Sequence, residues 1–163
     1  MAGLAGRARR GEMCFEPGLG EGVTLLKGLP VTTIDEVIEK RITLTRGGKT
    51  LIATMRKHGT YCCLVSGGFT LFTDRIAKML GFDEARANTL GVDGGALSGK
   101  VDEPIFGRQT KRATLIELRT HLKLATGDTM AIGDGANDMD MIADAGVGAA
   151  FHAKPTVAAA RAG

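Results

Sequence analysis

No apolar run among the 163 residues is long enough to cross a bilayer as a helix, which takes about 20 residues, so no membrane span is expected. Cysteine is scarce. Cys14, Cys62 and Cys63 form neither a disulfide framework nor a metal-ligand spacing. They read as small apolar residues of a reducing cytoplasm. Charge of one sign is also scarce. With Arg7, Arg9 and Arg10 set aside, the 21 basic residues fall to the number of acidic ones, 18. The body of the chain is therefore neutral and carries no nucleic-acid footprint. The opening MAGLAGRARRG is Arg-rich and acid-poor, as transit peptides are, but it is very short, has no Ser, and lacks the apolar core of a signal peptide. What remains is ordinary for a globular protein: 44% hydrophobic and 24% charged residues, in a length that supports one domain, or one domain plus a small lid.

The periodicity predicts alternating strands and helices. Up to residue 30 it is weak, and Gly18, Gly20 and Gly22 would each cost about 1 kcal/mol relative to Ala in a helix. Thr33 with Glu36 reads as a capping box opening a helix whose apolar face is Ile34, Val37 and Ile38. Residues 49–57 form the next helix, stopped by Gly59, and Tyr61 to Val65 a short strand buried on both faces. Ser66-Gly67-Gly68 is its exit turn, and Phe69 to Leu80 a helix ended by Gly81. Residues 87–92 and 96–101, joined by Asp93-Gly94-Gly95, read as a hairpin. A helix over 110–122, a strand over 129–132, a helix around 138–145, a strand over 147–151 and a helix after Pro155 complete the chain. Strands alternating with helices argue for a parallel α/β sheet.

Three stretches carry chemistry. In MAIGDGANDMD, residues 130–140, a strand stops at a Gly-Asp-Gly turn, which puts Asp134 at the carboxyl edge of a sheet, where open α/β folds hold ligands. Asp134, Asp138 and Asp140 so close together point to hard oxygen chemistry, most naturally Mg²⁺ with a phosphate. The plainer reading is an acidic turn with Asn137 as helix cap, and it is the better one for Asp140. For Asp134 the functional reading is better, since a lone carboxylate between two glycines caps nothing. Ser66-Gly67-Gly68 offers a hydroxyl and bare backbone N–H groups at a helix N-terminus, a phosphate cradle or equally a simple turn with Ser66 as cap. Lys111 lies in the first turn of a helix, against the macrodipole, but among Arg108, Lys111 and Arg112 the residues alone do not choose. His58, His121 and His152 are scattered and read as surface positions.

GDGANDMDM resembles the last acidic motif of the haloacid dehalogenase superfamily of phosphatases. LVSGGFTLFTDRIAKMLG upstream and GRQTKRATL between, in the expected order, make the chain similar to the phosphoserine phosphatases from about Gly11 onward. The resemblance implies a superfamily α/β fold: a parallel sheet with helices on both faces and a small helical cap. Residues 1–45 would be the cap remnant and 46–163 the core. It implies Mg²⁺-dependent hydrolysis of a small phosphate monoester, phosphoserine in the family, in cytoplasmic serine biosynthesis. It selects Lys111 to hold the phosphate and balance the carboxylates, Asp134 as metal ligand, and Asp138 to support the metal shell or the lysine. Ser66, Gly67 and Asn137 would bind the phosphoryl group, and Phe15 would line the substrate pocket.

The same resemblance implies parts that this sequence lacks. The family's nucleophile and its acid–base partner lie on a central strand reading DxDxT ahead of the lid, yet the first Asp here is Asp35, and no such motif occurs. The glutamate that meets the substrate amino group is absent as well. Where the family carries an arginine for the substrate carboxylate, seven residues after Phe15, this chain has Gly22, and the lid's methionine position is Arg9. The expectation is a scaffold of low or no turnover. Its two flanking apolar strands would either pair with each other or leave open edges and self-associate.

Overall fold

The computed structural model describes residues 15–152, with side chains from Leu19 onward. Contacts gather the chain into two compact units, one of Gly20–Ile105 and one of the residues up to Leu19 together with those from Phe106 onward. No helix among the described residues is long and apolar enough to cross a membrane.

The first helix, α1 (Phe15–Thr24), runs through Gly18, Gly20 and Gly22 in spite of their propensity. Tertiary packing overrides it: Val23 is 2% exposed, and burying a Val side chain contributes about 1.5–3 kcal/mol, comparable to the cost of two or three glycines. The next residues are tied to the hairpin. Gly28 N–H donates to Leu97 O, Leu97 N–H to Leu29 O, and Val31 N–H to Gly95 O. This tether brings the chain into α2 (Thr32–Arg41) one residue before the expected cap. Val31 is already helical and offers no side-chain cap, Thr33 lies within the first turn, and Glu36 pairs with Lys40 at 3.3 Å instead of closing a capping box. The apolar face holds as expected, with Ile34 buried and Val37 and Ile38 half-buried. Helix α3 (Gly48–Lys57) ends where expected: Gly59 N–H bonds Arg56 O and Thr60 N–H bonds Met55 O, the paired closure of a Schellman motif.

Strand β1 (Cys63–Phe69) runs on through Ser66-Gly67-Gly68 and does not stop at Val65. It leads into α4 (Thr70–Leu80), which Gly81 closes, and then into β2 (Glu84–Asn88), parallel to β1. Residues 84–88 thus belong beside β1 and not to the hairpin, whose arms are β3 (Leu90–Asp93) and β4 (Ala96–Val101). Gly94 and Gly95 join those arms with φ of +57° and +83°, both central residues left-handed as a type I′ turn requires. Every residue of β1 is only half-buried, against the expectation of burial on both faces. Its one strand neighbour among the described residues is β2, so it has an open edge. Cys62 just before it is buried, and burial pushes its thiol pKa up, keeping it in the unreactive protonated form.

From Phe106 onward the second unit runs through α5 (Arg108–His121), followed by a 3₁₀ turn (Thr126–Asp128) and β5 (Met130–Gly133). A second 3₁₀ turn (Ala136–Asp138) leads to α6 (Met139–Asp144) and β6 (Val147–Ala150), which lies parallel to β5. Phe106, Ala131, Met141, Ile142 and Ala145 form its buried apolar set. Met130 and Ile132, on the opposite face of β5 from Ala131, are 44% and 41% exposed. Among the described residues β5 pairs only with β6, so the second unit, like the first, carries a two-stranded parallel sheet. The helix expected after Pro155 lies outside the described residues. Parallel strand pairs joined through helices make this an α/β fold, as the alternation of strands and helices predicts.

Candidate active site

In the second unit the acidic turn folds back on itself. Asp138 closes the 3₁₀ turn and points at the preceding loop, where its Oδ2 accepts the backbone N–H groups of Asp134 (3.2 Å) and Gly135 (3.1 Å). Its Oδ1 accepts from Lys111 Nζ at 2.6 Å. Lys111 and Asp138 are 6% and 4% exposed, a buried ion pair whose oxygens are each engaged. Gly133 makes this approach possible, since a Cβ there would lie 2.4 Å from Asp138 Cβ. Asp138 thus stands with the lysine, and the turn it organises leaves Asp134 at the tip, exposed. The Asp134 carboxylate makes no hydrogen bond or ion pair among the described residues. Asn137 is half-buried beside it and does not cap α6, whose cap residue is Asp138 with no side-chain cap bond.

The structure also separates the three basic residues that the sequence left open. Arg108 reaches Asp140 with two N–H groups, and Arg112 reaches Asp144, both at partly exposed positions one turn apart on α5 and α6. Lys111 alone of the three turns inward. The bond from Arg108 holds the Asp140 carboxyl below the usual carboxylate range. Asp140 is therefore a surface partner, as the plainer reading had it.

In the first unit Ser66 is not the cap of α4. That position belongs to Phe69, without a side-chain bond. Ser66 Oγ instead accepts the backbone N–H of Gly68 at 3.0 Å. The β1–β2 register slips here, from Val65 opposite Arg86 to Phe69 opposite Asn88, so Ser66-Gly67-Gly68 bulges out of the ladder. Asn88, 2% exposed, donates from Nδ2 to Gly67 O at 3.1 Å. Sequence reasoning missed this residue. The available signal was an Asn at the end of a strand, where it is disfavoured unless its amide is occupied. Phe15 begins α1, and its side chain lies outside those described.

Whether these residues fit Mg²⁺ turns on Asp134. No cluster of three His, Cys, Asp or Glu side chains exists among the described residues. Mg²⁺ characteristically takes one or two carboxylates and fills its octahedron with water and phosphate oxygens. An exposed, unpaired carboxylate beside bare backbone meets that lesser demand, and Asp138, with both oxygens occupied, adds nothing to it.

The family model of haloacid dehalogenase-like hydrolases matches residues 21–143. The phosphoserine phosphatase of Streptomyces coelicolor is 43% identical over 157 residues, which cover 96% of this chain but 38% of that one. That of a Polaromonas species is 41% identical over 162 residues, covering 96% of this chain and 69% of its own. The solved structure of a phospho-aspartyl intermediate analogue of phosphoserine phosphatase superposes with a TM-score of 0.87 at 36% identity, over 96% of this chain and 74% of that one. With the buried lysine–aspartate pair and the acidic turn in place, these likenesses lead to one conclusion: the chain belongs to the haloacid dehalogenase-like hydrolases, among relatives that are phosphoserine phosphatases.

Proposed function

We propose that this chain binds a small phosphate monoester, phosphoserine by its relatives, at a site of phosphoserine phosphatase type, and turns it over slowly or not at all. The observation that carries the reading is the buried Lys111–Asp138 pair under an exposed Asp134 carboxylate. Lys111 supplies positive charge to the phosphoryl oxygens, and Asp138 keeps the ammonium group aimed. The Ser66 hydroxyl and the Gly67 N–H donate to the phosphate, Asn137 adds a side-chain hydrogen bond, and Phe15 contributes apolar contact to the substrate. Asp134 is the carboxylate that would hold Mg²⁺, which when bound neutralises phosphate charge and orients the group for in-line attack. A cytoplasmic place in serine biosynthesis follows from the same reading.

The family reaction needs a carboxylate to attack phosphorus, leaving an aspartyl-phosphate for water to hydrolyse. No DxDxT motif occurs in this sequence. With Asp134 reserved for metal and Asp138 locked to Lys111, no described residue of the acidic turn is free to take that part. A non-catalytic phosphate- or partner-binding role is the second reading, using the same Lys111–Asp138 pair and Asp134 carboxylate. Phosphoserine binding and phosphate release by the purified chain with Mg²⁺ separate the two, beside Asp134→Asn and Lys111→Ala. We expect binding that falls about tenfold or more in each variant, the equivalent of about 1.4 kcal/mol, with release at or near background. Brisk release that Asp134→Asn abolishes would show that another carboxylate serves as nucleophile. Binding unchanged in both variants would refute the site.

A further inference from the structure

We propose that Asn88 is a positioning residue that aims the Ser66 hydroxyl at the phosphate; this rests on the reading of Ser66 as a phosphate donor. Asn88 ends β2, opposite the place where the β1 ladder slips. There Ser66, Gly67 and Gly68 lose their regular strand partners, and two successive glycines leave the peptide between them free to turn over. The Asn88 amide removes that freedom by donating to Gly67 O at 3.1 Å. In a trans peptide the C=O and N–H point opposite ways, so fixing Gly67 O also fixes the direction of Gly68 N–H. That N–H donates to Ser66 Oγ at 3.0 Å. With a lone pair of Oγ held by the incoming N–H, the hydroxyl proton must point away from Gly68, available to an acceptor outside the turn. The run from Asn88 amide to Gly67–Gly68 peptide to Ser66 hydroxyl is a polarised series in which each bond strengthens the next. Burial makes the requirement strict, because at 2% exposure no water replaces a lost amide donor.

A purely structural asparagine would stabilise the fold without speaking to Ser66, and a double-mutant cycle tells the two apart. The probe is inorganic phosphate, its affinity read by ³¹P NMR for the unaltered chain, Asn88→Asp, Ser66→Ala and the double variant. Asn88→Asp keeps the shape and, with the titration run at a pH high enough to ionise the buried carboxyl, offers only acceptors to Gly67 O. The expected result is about tenfold weaker phosphate binding for Asn88→Asp, and no further weakening when it is added to Ser66→Ala. Equal weakening in both backgrounds would overturn the proposal while leaving Ser66 as a donor. No effect of Ser66→Ala alone would instead refute the underlying reading, and the proposal with it. Should Asn88→Asp fail to fold, the unaltered chain still decides the matter. On phosphate titration the ¹⁵N-labelled Asn88 side-chain amide and the Gly68 amide are expected to shift with one common midpoint. A Gly68 shift without an Asn88 shift would overturn the proposal.

Discussion

At the scale of single residues the buried Lys111–Asp138 pair carries the largest energetic consequence. Removing one member of such a pair strands a charge in the interior, at a cost of about 3–5 kcal/mol. Lys111→Met is therefore expected to destabilise the chain by about 3–5 kcal/mol in urea unfolding. Adding Asp138→Asn is expected to recover part of that loss, because a neutral amide oxygen still accepts the Asp134 and Gly135 N–H groups. A loss under about 1 kcal/mol for Lys111→Met would mean that the pair is hydrated and is not the centre of the site. Its awkward place against the helix dipole did not set Lys111 apart from Arg108 and Arg112, which read better as a solvated basic face, and only the family motif selected it. For Asp138 the resemblance left two roles open, the metal shell or the lysine, and the fold brings it to the lysine, which lies 27 residues earlier. Asn88 was hidden: its acceptor, Gly67 O, belongs to another strand.

At the scale of elements, α5 and α6 meet through Arg108–Asp140 and Arg112–Asp144, each one turn apart. These rungs are interchangeable. A slide of one turn, about 5.4 Å, would set Arg112 against Asp140, and exposed pairs discriminate little between such registers. The buried Lys111–Asp138 contact is what chooses. The rungs still leave a trace in acid. Arg108 holds the Asp140 carboxyl pKa below its ordinary 3.8, so its contribution to stability is complete above about pH 4 and is lost as pH falls through the lower folded value. Asp140→Asn should flatten the fall of the urea midpoint below about pH 4 and change its slope little near pH 7. An unchanged acid slope would mean that the pair is not formed in solution. Elements fixed by local chemistry were legible in advance, as the Gly94-Gly95 hairpin and the Gly59 and Gly81 helix ends show. Those fixed by packing were not: α1 runs through its glycines because Val23 is buried, and α2 starts early because residues 28–31 are tethered to β4.

At the scale of the whole molecule, open strand edges and an uncovered apolar face decide behaviour in solution. Parallel strands are ordinarily buried on both faces, yet Met130, Ile132 and Val147 of β5 and β6 are 44%, 41% and 53% exposed. The 17.0 kDa chain is expected to elute as a larger species whose size falls with dilution, and Ile132→Lys to shift it toward the monomer. A monomer with one cooperative unfolding transition would refute this. The second unit also has a bearing on how the site is made. Its Lys111–Asp138 contact closes over 27 residues, and its Gly146–Thr129 bond, which accompanies β5–β6 pairing, closes over 17. Loop closure over such spans is cheap in entropy, and low contact order makes for fast folding. Lys111 thus finds its carboxylate by a local search within one contiguous stretch of chain.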